Sequence, residues 1–263
     1  MYNIYRKFGR LAYKLFYLLL YFMFRHRKTV VKLASYGITD VRIYCVRRWY
    51  TCHGAEKTDR LFFKGVFNGT KCFIKLAAND STIKKEIFIN NYMTECGINF
   101  VPKLLLSDSN YNKNSALLVT ELIQDIKKFK LPDNESAFEV MCNKFEHIHS
   151  CLKKFSIVHG DISLSNVLVD KNACIILIDF GIGWVPGSEI FRTNHLIHHG
   201  TYYIESDNVR IYDNAFSFLR VLDHSKIPAE YKQKECYKKI ERLVGVHSHI
   251  IPLPTGKKEF VSN

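Results

Sequence analysis

The chain has no C-x-x-C pair among its eight cysteines, no apolar run long enough to cross a bilayer, no internal repeat and no low-complexity tract, and acidic residues are few beside basic ones. Each absence removes a class. Cysteines 45, 52, 72, 96, 142, 151, 174 and 236 are scattered and mostly lie within apolar runs, where a reduced thiol packs as a small hydrophobe. A disulfide scaffold is excluded, and a reducing compartment is expected. The histidines His195, His198, His199, His247 and His249 have no thiolate or carboxylate at ligand spacing beside them, so they read as polar loop residues rather than metal ligands. The longest apolar stretch, "LFYLLLYFMF" at Leu15 to Phe24, is about half of the roughly twenty residues that a spanning helix needs. No small-residue cleavage site follows it, as a signal peptide would require.

What is present is a chain of 263 residues, 47% hydrophobic and 14% aromatic, enough for one large domain or two closely packed lobes. Its formal net charge of +13 asks for an anionic partner. Part of that charge is patterned. Arg6, Arg10 and Lys14 share a helical stripe with Lys7 beside it, opposite Phe8, Leu11, Leu15, Leu18 and Phe22, and "RHRK" at Arg25 to Lys28 closes the segment. Residues 1–29 are therefore expected to form a basic, aromatic amphipathic helix lying on an anionic membrane surface; the alternative is a helix packed on the domain itself. No nucleic-acid motif accompanies the charge, so nucleic acid is not expected as a partner.

After Lys32 the pattern changes to short strands. "VRIYCVRR" alternates, and "LFFKGVF" and "KCFIKLA" flank Asn68-Gly69, a dipeptide suited to the positive φ angles of a hairpin turn. "NDSTIKKEIFINNYMTEC" reads as one helix with polar capping candidates before it and Gly97 after it. "FVPKLLLSD" and "SALLVTEL" read as strands. Residues 30–122 thus form a small sheet with one helix, and 123–263 a second domain. In the latter, Phe138, Met141, Phe145, His149 and Leu152 recur at helical spacing, with His149 at a satisfied core or groove position. Strands follow at "VLVD" and "CIILIDFG" around a turn at Lys171-Asn172, then helices at "YDNAFSFLRVLD" and "AEYKQKECYKKIERLV", and a frayed tail at "TGKKEFVSN".

Chemistry concentrates in the loop "HGDISLSN", His159 to Asn166, and in Asp179, which ends an apolar strand. Asp161 is placed to orient an attacking hydroxyl, while Asn166 and Asp179 offer the oxygen ligands that magnesium takes alongside phosphate oxygens. Phosphoryl transfer asks the protein for little beyond positioning and charge neutralisation. Taken singly, these residues could equally be turn caps, and Lys75 or Glu86 a solvated charge. Their common order along the chain carries the assignment.

In that order the chain resembles the protein-kinase-like superfamily. "HGDISLSN" is similar to the catalytic-loop pattern H-x-D-x-x-x-x-N and "DFG", Asp179 to Gly181, to the metal-binding motif. The resemblance implies that Asp161 is the catalytic base, that Asn166 and Asp179 hold Mg2+, and that Lys75 of "CFIK", paired with Glu86, binds the α/β-phosphates of ATP. It also implies a hinge at "LVTEL", with Thr120 as gatekeeper and the backbones of Glu121 and Ile123 meeting adenine. The implied fold is α+β and two-lobed, with a small antiparallel-sheet N-lobe, a shortened helical C-lobe and the N-terminal amphipathic helix.

Departures from the pattern narrow the expected acceptor. "RRWYTCHGAEKTDR" holds only Gly54 where a glycine-rich phosphate loop is usual, leaving backbone amides or Arg47, Arg48 and Lys57 for the triphosphate. Ser163 stands where serine/threonine protein kinases commonly carry lysine, and Gly160 where they carry arginine. "HGD" and "ECGINFVPKLL" are more similar to aminoglycoside, choline and bacterial lipopolysaccharide-core sugar kinases, and the region after "YDNAFSFLRVL" is short for docking a protein. The expectation is an ATP-dependent kinase acting on a saccharide or glycolipid of the bacterial envelope, cytoplasmic and peripheral on the inner face of the membrane. The alternatives are a protein kinase, suggested by "HHGTYYIES" and by Asp213 in the place of a buried aspartate that ties down the catalytic loop, and a pseudokinase serving as a binding module.

Overall fold

The computed structural model describes residues 26–50, 57–78, 81–112, 115–124, 127–170, 174–190, 201–204 and 209–252. The amphipathic pattern before Arg25, the turn at Lys171-Asn172, His195, His198, His199 and the tail "TGKKEFVSN" lie outside the described residues. The chain divides into two compact units, Met1–Thr94 with Pro102–Ile123, and Glu95–Val101 with Gln124–Asn263. No described helix is long and apolar enough to cross a membrane.

The first unit is an antiparallel sheet of β1 (Ile38–Tyr50), β2 (Lys57–Phe67), β3 (Thr70–Ala78), β4 (Leu104–Asn112) and β5 (Ser115–Glu121), in the order β1-β2-β3-β5-β4. The hairpin β2–β3 turns at Asn68 and Gly69, with φ of 48° and 77°, as that dipeptide favours. Strand alternation gives the sheet two buried faces. Cys72, Ile74, Leu76, Leu117 and Val119 pack with Leu33 of α1 (His26–Ser35), and Ala77, Ala116 and Leu118 pack with Ile83 and Ile87 of α2 (Ser81–Glu95). Helix α1 is fastened further: Lys32 donates to the Tyr111 carbonyl, Tyr36 stacks on Tyr111 and Tyr36 Oη donates to Asp108 Oδ2 at 2.5 Å. The boundary expected at residue 29 therefore falls inside a helix that packs on this sheet.

The second unit is built on α3 (Glu135–Lys154), capped by Asn134, whose side chain accepts from the Ala137 amide at 2.9 Å. Its buried stripe meets α4 (Asn214–His224), and the Phe145 and Phe218 rings stack with centroids 3.7 Å apart. Strands β6 (Lys127–Lys128), β7 (Val167–Val169) and β8 (Ile175–Leu177) form one small sheet; β9 (Thr201–Ile204), β10 (Val209–Asp213) and β11 (Ser248–Pro252) form another, with β10 in the middle. The single helix expected over "AEYKQKECYKKIERLV" is two, α5 (Ala229–Lys232) and α6 (Glu235–Leu243), broken at Gln233 and Lys234. His249 falls in β11 rather than in a loop, and His149, although buried, is not satisfied: its Nε2 has no hydrogen-bond partner among the described residues.

Candidate active site

Lys75 lies on the face of β3 that packs with α2, together with Ala77 and opposite the face of Ile74 and Leu76. One helical turn beyond Ile83, α2 presents Glu86, and Lys75 Nζ sits 2.6 Å from Glu86 Oε2 with both side chains buried. Burying a charge pair costs desolvation, which close geometry offsets. A fixed ammonium on a sheet face is suited to phosphate oxygens. On β5 the neighbouring Thr120 is buried, Glu121 ends the strand with its amide donating to Lys103 O at 2.8 Å, and Ile123 is the last residue of this unit.

In the second unit the loop after α3 is pinned by its histidine. His159 is fully buried and its ring packs on Phe180. Its Nδ1 accepts from the Asp161 amide at 3.2 Å, so the proton resides on Nε2, which donates to the Ile178 carbonyl at 3.0 Å. Burial holds its pKa down to about 4, which keeps it a neutral peg. Gly160 follows with φ of 85°, and a Cβ there would stand 2.5 Å from the Ile182 carbonyl oxygen. Gly183 meets the loop from the other side, where a Cβ would stand 2.7 Å from Val158 O. Gly160 is thus required by close backbone packing, whatever the acceptor.

Asp161 and Asn166 are brought together. Asn166 Nδ2 donates to Asp161 Oδ2 at 3.0 Å and to the Asp161 carbonyl at 2.9 Å, which commits its nitrogen, while its oxygen accepts from Ser165 Oγ at 3.3 Å and keeps a second lone pair for a ligand. Ser163 does not take the part of a phosphate-binding lysine; its Oγ lies 2.9 Å from Ser165 Oγ and its carbonyl accepts from the Asn166 and Val167 amides. Asp179 leaves β8 with φ of 67°, a left-handed conformation that costs a non-glycine residue about 1 kcal/mol. Burial first, and then the Asp179 carboxylate, push Asp161 well above the ordinary carboxylate range, to about 7, against the hydrogen bond from Asn166. Asp161 Oδ1 is buried without a hydrogen-bond partner among the described residues. Asp161, whose ionisation Asp179 opposes and whose Oδ1 has no hydrogen-bond partner among the described residues, makes with the Asp179 carboxylate and the Asn166 amide oxygen a donor set of hard oxygens that fits Mg2+.

Asp213 is fully buried as expected, but it does not hold the catalytic loop. Its oxygens accept from the Phe216 amide at 2.7 Å and the Gly245 amide at 2.9 Å, capping α4 and fixing the turn before β11. The bonds to the loop come from its two neighbours, Tyr212 and Asn214. Neither stands out in the sequence, where an aromatic and an amide at a strand–helix junction look like ordinary packing and capping.

The family model for the RIO domain matches residues 73–182, the stretch that holds Lys75, Glu86, Asp161, Asn166 and Asp179. The fold is protein-kinase-like. That match supports an ATP-dependent phosphotransferase. No curated protein matches the sequence. Among solved structures the chain is similar to the kinase PK-1 of Cydia pomonella granulovirus, at 17% identity and a TM-score of 0.41 over 61% of this chain. The match spans 58% of that kinase's length.

Proposed function

We propose that this kinase-like chain transfers the γ-phosphate of ATP to an alcohol, and that the alcohol belongs to the saccharide part of a bacterial envelope glycolipid of the lipopolysaccharide-core type. The observation that carries the transfer is the Asp161 carboxylate, raised to about 7 and with Oδ1 unpartnered among the described residues, which is a base matched to neutral pH. Asp161 accepts the acceptor proton as the hydroxyl oxygen bonds to the γ-phosphorus and ADP departs with the electrons of the broken bond. Lys75, positioned by Glu86, binds the α/β-phosphates, and the backbones of Glu121 and Ile123 meet adenine. Asn166 and Asp179 would hold Mg2+, whose charge, when it is bound, offsets that of the phosphates.

The saccharide is favoured by the +13 net charge, which suits an anionic glycolipid. The RIO-domain match favours a second reading, in which the hydroxyl is that of serine or threonine in a protein. Incubation with labelled ATP, fractionated envelope glycolipid and a protein extract distinguishes the two: Asp161-dependent label in glycolipid supports the first, and label in protein alone replaces it with the second. No ATP turnover with either would leave a binding module. The same reading puts the chain on the inner face of the cytoplasmic membrane through residues 1–25; if deleting them leaves binding to anionic vesicles unchanged, that placement is wrong.

A further inference from the structure

Asp161 is held from both flanks by residues that lie outside the catalytic loop. Before it, Asn214 Oδ1 accepts from the His159 amide at 3.1 Å and Asn214 Nδ2 donates to the Ile157 carbonyl at 3.1 Å. After it, the Ile162 amide donates to Tyr212 Oη at 3.0 Å. Tyr212 and Asn214 are fully buried, and the period of two at the end of β10 turns both toward the loop while Asp213 between them faces Phe216 and Gly245. Tyr212 in turn sits mid-sheet, paired with Thr201 of β9 and His249 of β11.

We propose that Tyr212 and Asn214 are the positioning residues of the phosphotransfer site: they fix the His159 and Ile162 amides, one on each side of Asp161, and so set the direction of its carboxylate, while β9 and β11 hold Tyr212 in place. The proposal rests on the phosphotransfer reading. Its physical basis is that a base works only within a fraction of an ångström and some ten to twenty degrees of its target. Among the described residues only Asn166 donates to the Asp161 side chain, so its direction depends on the backbone that carries it. Both anchors are hydrogen bonds of ordinary length to fully buried side chains, and each ends on the loop or its approach rather than on nucleotide-binding residues.

The test compares the full-length chain with Tyr212→Phe, which keeps the ring and gives up the phenolic oxygen that accepts from Ile162 and also meets the Ser217 side chain. The expected result is a fall in kcat of about tenfold or more with Mg-ATP affinity, read by titration, changed less than about twofold. Amide hydrogen exchange at Ile162 rises in the same variant, a readout that needs no turnover. Asn214→Ala gives the same split between kcat and ATP affinity, and Asn214→Asp, which retains an acceptor for His159, keeps more turnover than Asn214→Ala. Wild-type kcat in both Tyr212→Phe and Asn214→Ala overturns the proposal, as does a parallel loss of kcat, ATP affinity and melting temperature, which would mark both residues as merely structural. A wild type that phosphorylates nothing sinks the phosphotransfer reading, whereas unchanged exchange at Ile162 sinks the clamp whatever the turnover.

Discussion

Lys75 and Glu86 meet at 2.6 Å between the middle strand of a sheet and the helix that covers it, each with less than a tenth of its side chain exposed. An interior ion pair of this kind is costly to break and cheap to replace. Glu86→Leu deprives the buried ammonium of its carboxylate, and a loss of about 3 kcal/mol is expected by denaturant unfolding. Lys75→Met combined with Glu86→Leu should recover most of that stability while still failing to bind Mg-ATP. A double variant that binds nucleotide normally would remove Lys75 from the phosphate site.

Asp161→Asn should separate stability from turnover. The folded chain holds this carboxyl protonated up to about 7, whereas the unfolded chain ionises it near 3.8. Between those values the folded state binds more protons, so stability falls as pH rises, and above 7 the full cost of the buried charge is present. The neutral amide avoids that cost. The variant should melt higher than wild type at pH 8 without nucleotide, by an amount on the order of 1 kcal/mol, and transfer no phosphate. A lower melting temperature together with retained transfer would contradict both halves.

Asp179→Ala should abolish the magnesium-dependent part of ATP binding, since it removes a proposed oxygen ligand. Thermal shifts with ATP, with and without Mg2+, provide the measurement. Equal stabilisation of variant and wild type by Mg-ATP would show that the ligand is another group.

Gly160→Ala should cost about 3 kcal/mol or more, because the new Cβ adds a 2.5 Å contact with a backbone oxygen to the strain of φ at 85°. Gly97, also at positive φ but with open space around it, should lose only about 1 kcal/mol on the same change. The two midpoints in urea decide the comparison. A similar cost at both sites would show that φ alone, and not the packing of Ile182 on the loop, requires Gly160.

His149 should make the fold acid-sensitive. Burial is the main reason that its pKa drops from 6.5 to about 4, so between those values the unfolded chain binds the additional proton. Its contribution is intact above 6.5 and disappears as pH falls toward 4, with a full displacement worth about 3 kcal/mol. His149→Leu, which also removes the unpartnered Nε2, should melt closer to its neutral-pH temperature at pH 5 than wild type does. His159 shares the same direction and stays in place as a second source. An unchanged difference in melting temperature between pH 7.5 and 5 would locate the sensitivity elsewhere.

The sequence by itself determined what depends on local chemistry and spacing. Alternation fixed the strands around Lys75, the helical period placed Glu86 and the stripe of α3, Asn68-Gly69 set the hairpin, and the order of His159, Asp161, Asn166 and Asp179 pointed to the chemistry. Each of these is a pattern of neighbours along the chain, and the forces involved act over a few residues. Tertiary structure decided whatever depends on residues remote in sequence. That Gly160 answers to Ile182, that His149 Nε2 has no hydrogen-bond partner among the described residues, that Asp213 turns to Gly245 and that Tyr212 and Asn214 grip the loop some fifty residues earlier are consequences of packing between elements. A hydrogen bond to a backbone amide leaves no trace in the sequence of the residue that owns the amide, because every non-proline residue carries the same donor.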